Sequence, residues 1–339
     1  MKENNVTLLL SKGLLSLLLL AIGGATQAAD VAISGVVEVE GAYVEDYAKQ
    51  KTTGIGLATV EIALQSKVNK TTQIDVLMLH EDGDTEPQEV DSATVTFTDL
   101  PLAATAVMGR QYLPFGVFNS NHISDPLTLE LGETREAAVY VSSGFSNTSL
   151  GVAFFNGKIH NLTESNADPN YNIDYQYSRE SGSFSVGVAA YYLSNLAHAE
   201  GLFAALPTQA TVSKKAPAMG LALSLGFGPA QIIAECMQAE KAFSAADFTH
   251  AGKGAKPAAC QYELGYTMGK ATLALGYQTT EQLLFLELPK ARSLLSYSLA
   301  TSDNTTIALE LAQDEDYATT DGGTGKTQNI VTGQIAVSF

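Results

Sequence analysis

The sequence predicts an all-β protein, a transmembrane antiparallel β-barrel of about sixteen strands that follows a cleaved signal peptide. Three observations predict it. The chain ends in an alternating strand whose last residue is the aromatic Phe339. Segments of period two recur, whereas helical periodicity is scarce. Short and long connections alternate along the chain. In a membrane barrel one strand face meets lipid and the other a watery lumen, and this alternation follows from that division.

The amino terminus predicts a secretory signal peptide. Lys2 and Lys12 precede an apolar run over 14–22, and small residues follow over 23–28. We expect cleavage after Ala28, which leaves residues 29–339 as one barrel domain. A retained anchor helix is the alternative, but the apolar run is shorter than the ~18 residues that a membrane helix needs.

The strands between these ends alternate large apolar residues with small or polar ones. Clear cases are 31–40, 171–178, 221–227 and 306–311. An even count of about sixteen places both termini on the periplasmic side of a Gram-negative outer membrane. A barrel of that size encloses an aqueous channel. Phe339 then closes the last strand as a signal to the barrel-assembly machinery, and outer-membrane lipids and lipopolysaccharide are the expected surroundings.

The charge of the chain is strongly acidic. It carries 36 Asp and Glu against 19 Lys and Arg, a net charge of −17. This excludes nucleic acid as an expected partner. Acidic residues also fall on the minor faces of strands, where they predict either an acidic lumen that favours cations or a hydrated wall without selectivity. These residues are Glu38, Glu40, Glu61, Asp75, Asp174, Glu235, Glu263 and Glu310.

Two cysteines, Cys236 and Cys260, are predicted to lie on neighbouring strands and to share a face. In an exported protein they can form a disulfide. The alternative is two small apolar residues that face lipid.

No sequence motif indicates an enzyme. The patterns G-x-S-x-G, H-E-x-x-H and G-x-G-x-x-G are absent from the sequence. His122 and Ser124 are two residues apart but belong to no catalytic motif. We therefore predict no catalytic residue, no bound metal and no cofactor.

The connection over 112–134 is predicted to be the third extracellular loop and to hold the functional site. A long loop of a large barrel can fold inward and narrow the lumen, where its charges select permeants. The alternative is that Arg110 and Arg135 only pair with Glu133 or Glu136 and fix the loop. The candidate ligand or constriction residues are Arg110, Tyr112, His122, Asp125, Glu130, Glu133, Arg135 and Glu136.

Within this loop His122 has two interpretations. It contacts iron, or it is a hydrogen-bonded loop residue, the commoner role of a lone histidine. Two other connections hold apolar runs, 202–206 and 283–286, which are expected to fold into the barrel mouth or to lie on the membrane.

Two segments carry a resemblance to a known family. Gly-Arg-Gln-Tyr-Leu-Pro-Phe-Gly over 109–116 and Ser-Asp-Pro-Leu-Thr-Leu-Glu-Leu-Gly-Glu-Thr-Arg-Glu over 124–136 resemble the legiobactin-uptake (LbtU) type of siderophore porin. The segments 34–40 and 57–61 are similar as well. The resemblance implies a porin-like barrel without a plug domain that imports ferric siderophores. The connection over 194–217 departs from the family, because Glu200 is its only acidic residue.

Three functions follow for testing. The first is import of a ferric siderophore through an unplugged aqueous barrel, as the resemblance implies. The second is a general or weakly cation-selective diffusion porin for small solutes, which the acidic strand faces favour. The third is a sealed barrel with a structural or adhesive role.

Overall fold

The protein is a closed barrel of sixteen antiparallel strands, described by a computed structural model over residues 31–81, 89–161, 170–208 and 211–339. Each strand pairs with the next in sequence, and the last pairs with the first, so the sheet has no free edge. This confirms the predicted fold class and strand number. The strands are β1 Val31–Glu45, β2 Lys51–Lys67, β3 Thr72–Glu81, β4 Glu89–Leu100, β5 Ala104–Tyr112, β6 Arg135–Phe145, β7 Thr148–Phe155, β8 Asn170–Ser181, β9 Phe184–Leu193, β10 Ala218–Phe227, β11 Ala230–Ala239, β12 Ala258–Met268, β13 Ala271–Glu281, β14 Ala291–Ser302, β15 Thr305–Glu315 and β16 Thr327–Ser338.

The barrel closes at the carboxy-terminal residue. The N–H of Phe339 donates to the carbonyl of Gly35, and the N–H of Gly35 donates back, each over 3.1 Å. The Phe339 ring lies over Gly35, where an added Cβ would come within 2.6 Å of a ring carbon. Glycine is required there because the Cβ would also clash with the Glu61 carbonyl oxygen, which belongs to the paired backbone. The aromatic end that predicted the last strand is thus part of the seam.

The two ends of the barrel differ in the length of their connections. Short turns, such as 146–147, 228–229 and 269–270, join strands at one end, and both barrel termini lie there too. Long connections, such as 113–134, 194–217 and 240–257, lie at the other end. The predicted alternation of short and long connections is confirmed.

The strands separate apolar and polar side chains between the two faces of the wall. On β12 the outward residues Tyr262, Leu264 and Tyr266 are each about half exposed, whereas the inward Gln261 and Glu263 are buried. A wall with apolar residues outside and polar residues inside is the inverse of a soluble core and suits a lipid surround.

A disulfide links Cys236 on β11 to Cys260 on β12. The two residues are direct partners in the antiparallel register. Of the two interpretations that the sequence left open, the structure shows the disulfide.

The long connections pack a hydrophobic core at the mouth of the barrel. Leu202, Leu206 and Leu283 are buried there with Phe243 and Phe248. The apolar runs therefore fold into the mouth, as one of the two interpretations predicted. Within the described residues, the connections contain two helices, α1 Leu127–Gly132 and α2 Glu200–Ala205. They also contain four 3-10 turns, at Pro101–Ala103, Leu196–His198, Leu284–Leu286 and Thr319–Asp321. Two short strand pairs complete them, His160–Asn161 with Thr211–Val212 and Thr249–His250 with Lys253–Gly254.

The predicted signal peptide, residues 1–28, lies outside the described residues and stays a prediction. Across the described ranges, every helix falls short of the length and apolarity that crossing a membrane takes.

Candidate functional site: an acidic lumen beside an inward loop

The connection over 113–134 folds into the lumen and lies against one side of the wall. Three buried glutamates on that side accept hydrogen bonds from its backbone. Glu235 accepts from the N–H groups of Val117 and Phe118 over 2.7 and 3.0 Å. Glu263 accepts from the N–H of Asn121 over 3.1 Å, and Glu310 accepts from the N–H of Ile123 over 2.7 Å. The loop is therefore anchored across β11, β12 and β15, which we call the anchor wall.

The anchor wall satisfies polar groups that would otherwise be buried without partners. Glu235 also accepts from Thr128 Oγ1 over 3.2 Å, from Gln261 Nε2 over 3.0 Å and from the Tyr191 hydroxyl. On β13, Gln278 Oε1 accepts from the Leu127 N–H over 3.0 Å. Loop backbone inside a barrel must find partners, and carboxylates are strong acceptors because their hydrogen bonds are charge-assisted.

These contacts correct one expectation about the strand glutamates. Glu235, Glu263 and Glu310 are 2%, 5% and 1% exposed, and each is occupied by the loop. They hold the loop and do not present free charge to a permeant. The sequence identifies them as inward-facing but does not show what lies opposite them.

The open lumen is a cavity of about 1000 Å³ on the other side of the loop. Among the described residues, eleven carboxylates and two cationic side chains line it. The cations are Arg135 and Lys158, and the carboxylates are Glu38, Glu40, Glu61, Glu81, Glu89, Asp91, Asp125, Glu130, Glu133, Glu136 and Glu200. The cavity is strongly acidic, which agrees with the acidic lumen that the strand pattern predicted.

The carboxylates of the cavity stand on two facing surfaces. Glu38, Glu40 and Glu61, on β1 and β2, form the strand row. Asp125 and Glu133, on the loop, form the loop row. Asp125 lies within electrostatic reach of Glu38, so the two rows repel each other across the lumen.

Arg135 joins the cavity wall to the mouth. Its guanidinium donates to Glu200 Oε1 over 3.0 Å and to Asp91 Oδ1, and it forms an ion pair with Glu89, with Nη1 2.7 Å from Oε1. It also lies 5.7 Å from the centre of the Tyr112 ring. Arg135 is thus an anchor that also faces the cavity. The predicted pairing with Glu133 or Glu136 is wrong, because β4 and α2 supply its partners instead.

The structure brings six of the eight candidate residues to the cavity: Tyr112, Asp125, Glu130, Glu133, Arg135 and Glu136. Arg110 lies outside the lining, with Nη2 3.5 Å from Glu89 Oε2. His122 lies on the loop against the wall, with Nδ1 2.6 Å from Ser296 Oγ and Nε2 3.6 Å from Glu263 Oε2. This placement agrees with the interpretation of His122 as a hydrogen-bonded loop residue.

Burial and like charge shift the protonation of the loop carboxylates. Burial, with a further contribution from Glu200, raises the pKa of Glu133 to about 7. Burial also raises the pKa of Asp125, against the pull of Arg292. The pKa of Glu200 is raised by burial as well, although Arg135 opposes the shift. The charge of Glu133 therefore changes near neutral pH.

The sequence reasoning missed several residues at the site. Glu89, Asp91, Lys158, His198 and Glu200 all line the cavity. Alternation could have indicated Glu89 and Asp91, since they share one face of a strand that is apolar or hydroxyl-bearing from 92 to 98. Lys158, His198 and Glu200 lie in connections, where no periodicity indicates direction.

The chain is similar to two groups of known proteins. It is 26% identical to a UPF0422 protein of Coxiella burnetii, over 91% of this chain and 72% of that protein. It is 24% identical to a UPF0422 protein of Legionella pneumophila strain Paris, over 91% of this chain and 66% of that protein. No protein-family model matches.

Solved porins share the fold at low sequence identity. The anion-selective porin from Comamonas acidovorans superposes with a TM-score of 0.64 at 14% identity, covering 92% of this chain and all of that one. The outer-membrane channel DcaP of Acinetobacter baumannii gives 0.63 at 12% identity, covering 93% and 99%. Salmonella typhi OmpF, in complex with daunomycin, gives 0.60 at 10% identity over the same shares. The chain therefore has the fold of the sixteen-stranded outer-membrane porins.

Proposed function

We propose that this chain forms a water-filled channel in the outer membrane that passes small solutes and prefers cations. The observation that carries the proposal is the lining of the lumen, to which the described residues contribute eleven carboxylates and two cationic side chains. Fixed charges against a low-dielectric wall concentrate counter-ions and exclude ions of like charge. The barrel fold supports a channel, and its interior supplies the preference.

The selectivity must come from the side chains and not from the fold. The structural neighbour from Comamonas acidovorans is described as anion-selective, although it shares the barrel at a TM-score of 0.64. One barrel can serve opposite selectivities because its function lies in the residues that it positions. The acidic lining of this chain supports the cationic alternative.

The anchored loop defines the route. Because Glu235, Glu263 and Glu310 are bound to the loop backbone, the anchor-wall side of the lumen is occupied. Solutes then pass between the loop and β1–β6, where the strand row and the loop row lie. A loop held by three buried carboxylates gives a constriction of constant width.

Liposome swelling tests the channel and its preference together. Purified protein in liposomes would be challenged with small cationic, neutral and anionic solutes of equal size. We expect the cationic solute to enter fastest and the anionic solute slowest. Absence of swelling with all three would contradict the channel and favour a sealed barrel, and fastest entry of the anion would contradict the preference.

Import of a ferric siderophore is the narrower candidate. The segments 109–116 and 124–136 favour it, because they carry the family resemblance and the second of them lines the cavity. The acidic walls restrict this candidate to neutral or cationic iron complexes, since polyanionic ones would be repelled. A deletion strain should lose uptake of such a radiolabelled complex under iron limitation. Undiminished uptake in a strain without another receptor would contradict this candidate.

The proposed setting is a Gram-negative outer membrane with both termini in the periplasm. The short turns and both barrel termini share one end, which supports this orientation. A protease-resistant tag at Asp46, in the first connection at the opposite end, should be labelled on intact cells. Labelling only after the outer membrane is permeabilised would contradict the orientation.

A further inference from the structure

The carboxylates of the cavity are spread along it and do not converge on one point. The strand row and the loop row stand on different surfaces. Among the described residues, no group of three or more His, Cys, Asp or Glu is arranged to hold a metal ion. A ligand that pairs with two of these separated carboxylates at once must therefore carry positive charges that are separated in space.

A buried acceptor at the edge of the cavity points to a hydrogen-bond donor. Asp91 is 0% exposed and lines the cavity. Its Oδ1 accepts from the Tyr112 hydroxyl over 2.8 Å and from Arg135. Its Oδ2 has no hydrogen-bond partner within the described part of the chain. Buried carboxylate oxygens are normally satisfied, so this atom marks a position for an incoming donor.

A second buried acceptor lines the same cavity. His198 is 3% exposed, and its Nδ1 lies 3.2 Å from Glu136 Oε1. When Nδ1–H donates to that carboxylate, Nε2 carries a lone pair. Nε2 is buried and also without a hydrogen-bond partner among the described residues. An ammonium group, with three donors, suits both acceptors.

The cavity also offers apolar surface between its charged groups. Leu77 and Leu79 on the strand wall, Leu129 on the loop and Phe203 in α2 all contribute to the lining. A short methylene chain can lie against these side chains while its charged ends reach the carboxylates. A metal ion or a small inorganic cation would gain nothing from them.

We propose that the cavity binds linear organic dications, of the diaminoalkane class, with one ammonium at the strand row and the other at the Asp91 end. The inference rests on the proposed function, because it requires the acidic lumen to be open to solutes. The methylene chain of the dication lies along the apolar residues and joins its two ammonium groups. The same geometry gives a monoamine only one of the two charged contacts.

Single-channel block in planar bilayers tests the inference. Potassium current would be measured with 1,5-diaminopentane and with 1-aminopentane, which have the same chain length. We expect the diamine to block at a concentration at least about tenfold lower, since a second charged contact near 1.4 kcal/mol corresponds to a factor of ten. The E38Q/E61Q variant should lose most of that advantage.

E180Q is the control. This substitution removes a carboxylate from a different cavity, which lies near the short turns. It should keep the advantage of the diamine. Equal block by diamine and monoamine in a channel that still prefers potassium over chloride would overturn the inference and leave the proposed function intact. Loss of the diamine advantage in E180Q would also overturn it. A channel without preference for potassium would contradict the proposed function itself.

Discussion

The two walls of this barrel use the same residue type for different purposes. On the anchor wall, Glu235, Glu263 and Glu310 are almost wholly buried and bind the loop backbone. On β1 and β2, which we call the open wall, Glu38, Glu40 and Glu61 are half-buried and face the cavity. The first set holds the loop, and the second contributes negative charge to the cavity.

The difference shows that the opposing surface decides the role of an inward carboxylate. A buried carboxylate that accepts hydrogen bonds from backbone N–H donors is stabilised by them. A carboxylate that meets water and other carboxylates keeps its field. Substitutions confined to one wall should therefore separate the two roles.

The largest effect is expected from Glu235→Ala. It leaves the N–H groups of Val117 and Phe118, together with three further donors, without their shared acceptor. The free energy of unfolding should fall by about 3–5 kcal/mol, as for other broken buried charge contacts. Urea unfolding of the refolded barrel measures it. Glu38→Ala is the control, and equal destabilisation by both variants would contradict the division into two walls.

Arg135→Ala should follow. It leaves the wholly buried Asp91 without its cation, and it separates β4 from α2 by removing the contact with Glu200. We expect a loss of about 3 kcal/mol in unfolding free energy and partial loss of the heat-modifiable folded band on gels. Arg135→Lys should recover part of it, because a lysine replaces the charge but not the fork. A fully stable alanine variant would show that Arg135 serves permeants only.

A smaller and different effect is expected from the triple variant E38Q/E40Q/E61Q. Its unfolding free energy should stay within about 0.5 kcal/mol of the native value, because these side chains face water. The preference for potassium over chloride should fall by about fivefold at 0.1 M salt, since one charge contact at 4 Å in water is worth about 1 kcal/mol. Bilayer reversal potentials measure the ratio. Unfolding of the triple variant would place these residues among the anchors.

The smallest effect concerns pH. Burial raises the pKa of Glu133 to about 7, so this carboxyl carries its negative charge above that pH and loses it below. Cation preference should therefore decrease as the pH falls from 8 to 6. Glu133→Gln should flatten the change in that window. If Glu133→Gln lost cation preference between pH 8 and 6 as steeply as the native protein, Glu133 would not face the permeant.

The barrel could be predicted from the sequence because its signals are local. Alternation along 171–178 and 221–227 follows from one face meeting lipid, and Gly228-Pro229 marks a turn without reference to distant residues. The aromatic residue Phe339 likewise marks the end of the last strand. These features need only neighbours in sequence.

The site could be predicted only in part because its contacts join residues far apart in sequence. The loop row could be predicted, because Asp125 and Glu133 lie in the connection over 112–134 that is expected to fold inward. The partners of Arg135 come from β4 and from α2, and no local pattern connects them. The role of Glu235 depends on a loop more than 100 residues away.

We propose that the carboxylates on β1 and β2 make this channel prefer cations. A reversal potential measures that preference directly. Native protein would be recorded in a planar bilayer under a potassium chloride gradient at pH 8, where Glu133 is charged. We expect a potential with the sign of potassium permeation, and one that moves toward zero in E38Q/E40Q/E61Q. A zero potential, or one with the sign of chloride permeation, would contradict it.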